Sequence, residues 1–268
     1  MESGHRPVSD EYKLRIYIKI VQLFLEDEES VTAESYLNRA ALIINPSTSR
    51  IFSLQFKACQ ARILDFKRDF LKASPKYHEL SYLPELQDTD QIDALRSALI
   101  CAVLAPACPQ RSRLLATLYK DERVRQRAEF QQGGLYQILE KMYLDRLLNK
   151  KEVEQFSENL KPHQLARHGD NTTVLDRAVT EHNLVAASKL YNNIYLNQLG
   201  ALLSISEEQA ELVAMKMISD GNMEGTIDQI EKILFFTNSK ILPTWDAQIS
   251  GLCHHLDGVA DRIAHFSK

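Results

Sequence analysis

His254 and His255, with Asp257 two residues on, are the side chains best suited by type to a metal ion, since imidazole and carboxylate are ordinary zinc ligands. Neighbouring residues on a helix point about 100° apart, so one ion could hardly take both histidines, and the trio reads as a solvated helix face. His163, His168 and Asp170 form a second cluster. Without a fourth ligand or a cysteine it reads as an exposed loop. Glu181-His182 reads as a surface pair. The sequence holds no G-x-x-x-x-G-K-[ST] phosphate loop, no G-x-G-x-x-G, no H-E-x-x-H, and no H-x-H with a spaced aspartate of the kind a zinc isopeptidase needs. No catalytic residue, metal ligand or cofactor site is assigned. Cys59, Cys101, Cys108 and Cys253 are scattered in apolar helical contexts without a C-x-x-C pair, which predicts reduced core residues of an intracellular protein.

One basic run stands out: Arg111, Arg113, Lys120, Arg123, Arg125 and Arg127, against Asp121, Glu122 and Glu129. It is either a solvated helix face or a contact for an acidic protein partner. The net charge of -4 predicts no long-range attraction to nucleic acid or anionic lipid. No apolar run approaches a membrane span and residues 1–10 are polar, so a soluble chain without a signal peptide is expected. With 268 residues, 44% of them hydrophobic, it can fill one large core or two ordinary ones.

Only 9 glycines and 8 prolines interrupt the chain, and helix dominates. Leu14, Ile18, Val21 and Leu25 line one face of a first helix starting near Ser9, and Tyr17, Ile20 and Phe24 line another. The acidic stretch Glu26 to Glu29 breaks it. Ala33, Leu37, Ala40 and Ile44 mark a second helix ended by Asn45-Pro46. Phe52, Phe56, Cys59, Ile63 and Phe66 mark a third, and Phe70, Ala73, Tyr77 and Leu80 a fourth. The hairpin begins near Asp10 and again near Arg50, a period of 50 − 10 = 40 residues, within the roughly 34 to 47 of helical repeats. Pro75 should kink the fourth helix or delay its start. Further helices are predicted over Ile92–Ala105, Ser112–Arg127, Leu135–Leu148 and Lys151–Leu160. Residues 161–171 read as a linker, after which Thr173 and Asp176 cap a helix leading to Leu190.

The stretch from Ile194 to Thr237 has the order of a winged helix. A short strand at 194–196 is followed by an expected N-cap at Asn197 and an apolar face of Leu196, Leu199, Leu202 and Leu203. Ser206 and Gln209 form a capping box, and Leu212, Val213, Met217 and Ile218 are expected as the buried stripe of the next helix. Gly221-Asn222 stops it. Runs 223–229 and 233–237 then pair as a hairpin whose turn, Ile230-Glu231-Lys232, lacks the usual closing glycine. Such a fold often reads DNA with its second helix, but Glu207, Glu208, Glu211 and Asp220 against Lys216 have the wrong sign for phosphate. A protein contact is expected instead, through Ile194, Tyr195, Met223, Thr226, Ile227 and Asp228 along strand edges that can accept a neighbour's strand.

Pro243 suits the first turn of a last helix. Leu242, Trp245, Ile249, Leu252, Leu256, Val259, Ile263 and Phe266 alternate spacings of three and four, the pattern of a helix in a coiled-coil-like seam with partner helices. The fold class expected is mainly α. A helical-repeat (TPR/HEAT-like) array over 9–160, a linker over 161–171, a winged helix with a small β hairpin over 172–240 and a long C-terminal bundle helix over 241–268 follow in that order.

That architecture resembles the PCI-domain subunits of the proteasome lid, the COP-nine signalosome and a translation initiation factor. The segments Gln110–Arg123, Ile138–Leu147, Leu175–Asn193 and Gly225–Gln229 resemble the signalosome members most closely, over nearly everything after Tyr12. The resemblance implies a non-catalytic scaffold subunit of the complex that removes the ubiquitin-like modifier from cullins of cullin-RING ubiquitin ligases, acting in cytoplasm and nucleus. It implies that the isopeptidase is another, zinc-binding chain. The partners implied are other PCI subunits, joined winged helix to winged helix with their last helices in one bundle, and the metalloprotease-fold subunits, with the ligase as substrate of the whole complex. Nucleic acid and membrane are not among them. Family members carry further repeats before this chain's first residue and a longer tail, so either a truncated piece of such a protein or an unusually short member is expected, and the resemblance does not extend to ligase sensing by that arm. The alternative within the family is a proteasome-lid subunit.

Overall fold

The computed structural model describes residues 9–44, 49–132, 134–166, 172–236 and 249–256. The chain divides into two compact units, Met1–Ala186 and Ala187–Lys268.

The first unit opens with two helical hairpins: α1 (Asp10–Glu26) with α2 (Ser30–Ala41), then α3 (Arg50–Phe66) with α4 (Phe70–Leu80). Ser9 caps α1, its hydroxyl accepting from the Tyr12 N–H at 3.4 Å. Leu14, Ile18, Val21 and Leu25 are buried as their spacing requires, against Ala33, Leu37 and Ala40 of α2 and Cys59 and Ile63 of α3. Tyr17, Ile20 and Phe24 are half-buried on the second face. The expected stop at Asn45-Pro46 lies outside the described residues, and α2 has already ended at Ala41.

The 40-residue period reappears in how the hairpins turn. Glu28 and Arg68, at φ 61° and 60°, are both left-handed. The Glu29 N–H reaches the Phe24 carbonyl and the Asp69 N–H the Leu64 carbonyl, each at 2.9 Å. These are the six-to-one bonds of a Schellman turn, a position that usually takes glycine. Left-handed backbone costs a residue with a Cβ about 1–2 kcal/mol. Packing of each hairpin offsets it.

Pro75 neither delays nor ends α4, which begins at Phe70. Phe70, Ala73, Tyr77 and Leu80 are all buried, and the Ser74 hydroxyl donates to the Ala98 carbonyl at 2.9 Å. Burial of that face outweighs the one backbone bond that proline removes.

α5 (Asp88–Leu104) runs through the second core, with residues 98–104 buried without a break. Around it lie α6 (Pro109–Tyr119), α7 (Glu122–Gln126), α8 (Ala128–Gln132), α9 (Leu135–Tyr143), α10 (Lys150–Ser157) and the start of α11 (Val174–Leu190). The helix expected over Ser112–Arg127 is two helices. Asp121 interrupts it, its carboxylate accepting from the Arg123 N–H at 3.0 Å and so capping α7. α9 stops short of Leu148 because Asp145 turns left-handed at φ 52° and the Arg146 N–H closes on the Lys141 carbonyl at 2.8 Å. Thr173 and Asp176 cap α11 as expected, the threonine hydroxyl accepting from the Asp176 N–H at 3.0 Å.

The second unit contains β1 (Asn193–Tyr195), α12 (Leu196–Leu203), α13 (Glu207–Ser219), β2 (Gly225–Asp228), β3 (Ile233–Phe236) and α14 (249–256). The strands form an antiparallel sheet in the order β1-β3-β2, with Ile194 and Ile227 both opposite Leu234. This is a winged helix. Tyr195, not Asn197, is the N-cap of α12; the Asn197 side chain instead accepts from the Gln198 N–H. Ser206 caps α13, accepting from the Gln209 N–H at 3.3 Å, which is the serine half of the capping box read there.

The closing glycine missing from the wing is replaced by Lys232 at φ 56°. Asp228 supports that turn, its carboxylate accepting from the N–H groups of Ile230 and Glu231 at 2.9 and 3.1 Å. Gly225 is required by space: a Cβ there would lie 2.6 Å from the Phe235 carbonyl oxygen.

Candidate interaction surface

No group of three or more His, Cys, Asp or Glu among the described residues is placed to hold a metal ion. His254 and His255 are exposed on α14, while Asp257, His168 and Asp170 lie outside the described residues. His163 corrects the exposed-loop reading. Its Nε2 lies 3.3 Å from the Asp65 carboxylate, with its side chain only 11% exposed. The Gln164 amide donates to the same carboxylate at 2.9 Å, so residues 161–166 carry buried polar groups. Burial pushes the Asp65 carboxyl up, and the His163 and Gln164 side chains with the Lys161 charge outweigh it and hold it low.

Glu181-His182 is not a surface pair either. Glu181, His182 and Asn183 are all buried, and each bonds the backbone of a different loop position. Glu181 accepts from the Ala107 N–H at 3.0 Å and from Arg177 Nε at 2.8 Å. The His182 ring nitrogen lies 2.9 Å from the Arg146 carbonyl. Asn183 accepts from the Leu148 N–H at 2.8 Å and donates to its carbonyl at 3.2 Å. These residues satisfy loops.

The basic run separates into two kinds of residue. Arg111 is buried, at 3% exposure, with one guanidinium nitrogen 3.5 Å from the Met142 sulfur, so it is unavailable to a partner. Burial lowers its pKa to about 10 against the opposing pull of Glu181, Cys108 and Asp145. The spacing Arg111-Leu115-Leu118 places it on the buried face of α6 and was legible in the sequence. Arg123 is half-buried and occupied, bonding Asp121 at 2.7 Å and the Ser81 carbonyl at 2.7 Å while lying 3.9 Å over the Tyr82 ring. Arg113, Lys120 and Arg125 are exposed and Arg127 is half-exposed.

Asp121 is the hub of that knot, also accepting from the Tyr82 hydroxyl at 3.1 Å. Burial would raise its carboxyl, but hydrogen bonds from the Arg123 side chain and backbone, that residue's charge and His78 bring it from 3.8 to about 2. A depressed carboxyl stabilises the fold above its unfolded pKa and loses that contribution as the pH falls through the folded one. Wild type should therefore lose roughly 1–2 kcal/mol between about pH 4 and 2 that Asp121→Asn lacks, after solvent screening is allowed for. Urea midpoints across that window measure it. Parallel slopes in the two proteins would remove Asp121 from the account.

In the second unit, Ile194 and Met223 are each 7% exposed and belong to the core, which corrects their assignment to an interface. The strand alternation explains Ile194: it shares a face with Leu234, and Tyr195 points the other way. Tyr195 and Thr226 are exposed, and Ile227 and Asp228 half-exposed. The buried stripe of α13 is Ala210, Ala214 and Met217, where alanines admit close packing. Leu212 is 59% exposed and Met215 46%, against expectation for the leucine. On α14, Ile249, Leu252 and Leu256 are exposed at 53%, 65% and 61%. Leu242, Trp245, Val259, Ile263 and Phe266 lie outside the described residues.

Residues 137–238 match the PCI domain family and residues 1–89 match the family described as PSMD12/CSN4, N-terminal. In this chain a helical array is followed by a winged helix, the order that the resemblance to PCI-domain subunits implied. The chain is 51% identical to COP9 signalosome complex subunit 4 of Dictyostelium discoideum over 268 residues, 99% of this chain and 66% of the relative. It is 46% identical to the proteins of the same name from Drosophila melanogaster and Arabidopsis thaliana, each over 98% of this chain and over 63% and 67% of the relatives. The chain belongs to the COP9 signalosome complex subunit 4 family. It spans about two thirds of the length of these relatives.

Proposed function

We propose that this chain is a non-catalytic scaffold subunit of the signalosome, the complex that removes the ubiquitin-like modifier from cullins of cullin-RING ubiquitin ligases. The observation that carries the reading is the row Ile249, Leu252 and Leu256, a leucine-rich helical stripe exposed on α14 in a chain whose relatives are named as subunits of a complex. Large apolar side chains repeating at three and four residues suit burial among partner helices. Leu242, Trp245, Val259, Ile263 and Phe266 extend the same spacing in sequence.

The partners proposed are other PCI subunits, reached through the terminal helix and through Tyr195, Thr226, Ile227 and Asp228 of the winged helix, and the metalloprotease-fold subunits. Arg113, Lys120, Arg125 and Arg127 remain a candidate patch for an acidic partner. Cytoplasm and nucleus are the compartments proposed, on the strength of the signalosome names of the relatives. A proteasome-lid role has less support, because relatives at 46–51% identity carry the signalosome name.

The test is coexpression of the tagged chain with the other signalosome subunits, read by copurification and by modifier removal from a cullin. Copurification with the PCI subunits, and activity that needs a different chain, is expected. Failure to copurify would overturn the scaffold reading.

A further inference from the structure

The winged helix carries a cleft of about 480 Å³ between α13 and the wing. Met215, Ile227, Phe235 and Ile230 supply its apolar surface, and Glu211 and Asp228 its acidic one. Met215 is 46% exposed, Phe235 39% and Ile230 94%, so three large apolar side chains meet solvent around one concavity. Scattered exposed apolar residues are ordinary, whereas a cluster lining a cleft marks a binding surface. β2 lies along it. In the sheet order β1-β3-β2 that strand pairs on one side only, with β3. Its four residues span roughly 13 Å, room for an extended segment of about four residues.

The charge around the cleft is one-sided. Glu211 accepts from the Gln229 amide at 2.7 Å, which fixes its carboxylate at the mouth. Glu207 bonds Lys232 at 2.6 Å, and Glu207, Glu211 and Glu208 together hold that ammonium above its usual pKa. Lys232 is thus already engaged by a carboxylate cluster that includes Glu211 of the cleft. Such a rim selects a cation and repels a carboxylate or phosphate.

We propose that the α13–wing cleft receives an extended segment of a neighbouring subunit in which an apolar side chain is flanked by lysine or arginine. The apolar side chain seats against Met215 and Phe235, and the cation meets Glu211. The existence of a neighbour rests on the assembly reading above; the chemistry of its segment rests on the cleft.

The experiment uses the full chain and two fluorescein-labelled hexapeptides, one with a Lys-Val-Leu-Lys centre and its twin with Glu-Val-Leu-Glu, read by anisotropy. The basic peptide should bind about tenfold or more tightly than the acidic one and weaken as salt rises from roughly 50 to 300 mM. Met215→Asp should weaken it about tenfold, Glu211→Lys should reverse the preference, and Val31→Glu, at an exposed position of α2, should leave it unchanged, with thermal melts confirming folding. Equal binding of both peptides, no binding near about 1 mM, or binding untouched by Met215→Asp would overturn the proposal. So would dimerisation abolished by Met215→Asp, which assigns the cleft to a second copy. Charge-selective peptide binding by a chain that fails to copurify would defeat the assembly reading alone; copurification without peptide discrimination would defeat the cleft proposal alone.

Discussion

A chain carrying Ile249→Glu and Leu256→Glu should fold normally and fail to copurify with its complex. Both side chains are more than half exposed, so neither substitution removes packing within the described residues. In the bundle proposed here, each change would bury a carboxylate among apolar helices, which costs several kcal/mol unless it is paired. Truncating one interface anchor commonly costs 2 kcal/mol or more, so two such changes amount to a loss of affinity of roughly a thousandfold. Thermal melting separates the alternatives. An unchanged melting temperature with lost copurification is the expected pair of results. Retained copurification would move the principal contact elsewhere on the chain.

The control is Val31→Glu. Val31 is 75% exposed but sits on α2 in the first unit, so copurification that survives it and fails with the α14 pair would locate the contact. Loss in both would mean that added negative charge alone disrupts the complex.

What could be read from sequence follows a physical division. The apolar faces of α1 and α4 were legible because the buried positions, such as Leu14 and Tyr77, are apolar residues at helical spacing, with Ser74 of α4 the one polar exception. The 40-residue period was legible for the same reason, and the left-handed pair Glu28 and Arg68 repeats it in the backbone. Buried polar groups were not. Glu181, His182 and Asn183 look like any solvated turn of helix, and their partners are backbone groups 35 to 74 positions away, which leave no mark in local pattern. Alanine misled in the opposite direction. On α13 the leucine drew the eye, whereas close approach of the helix put Ala210 and Ala214 inside and left Leu212 out. Residue size sets how near a helix can come, and hydrophobicity alone does not encode that distance. The same exposed face, with Met215, borders the cleft that no spacing rule announced.

Asn183→Leu should destabilise the first unit by about 2–5 kcal/mol, the largest single-site effect on stability expected here. Leu148 is 6% exposed, and both its N–H and its carbonyl use the Asn183 amide. Leucine nearly matches asparagine in volume, so the cavity term is small and the cost falls on two buried backbone groups left without partners, about 1–3 kcal/mol each. Asn183→Asp keeps the acceptor for the N–H but sets a carboxylate oxygen against the carbonyl in a buried site, and should be at least as damaging. Asn183→Gln keeps both functions on a side chain one methylene longer, and should recover part of the loss if the hydrogen bonds are its source. Urea unfolding read by circular dichroism measures all three. A leucine variant within about 0.5 kcal/mol of wild type would mean that Leu148 finds other partners, and that this polar turn of α11 is not what holds the 146–149 loop.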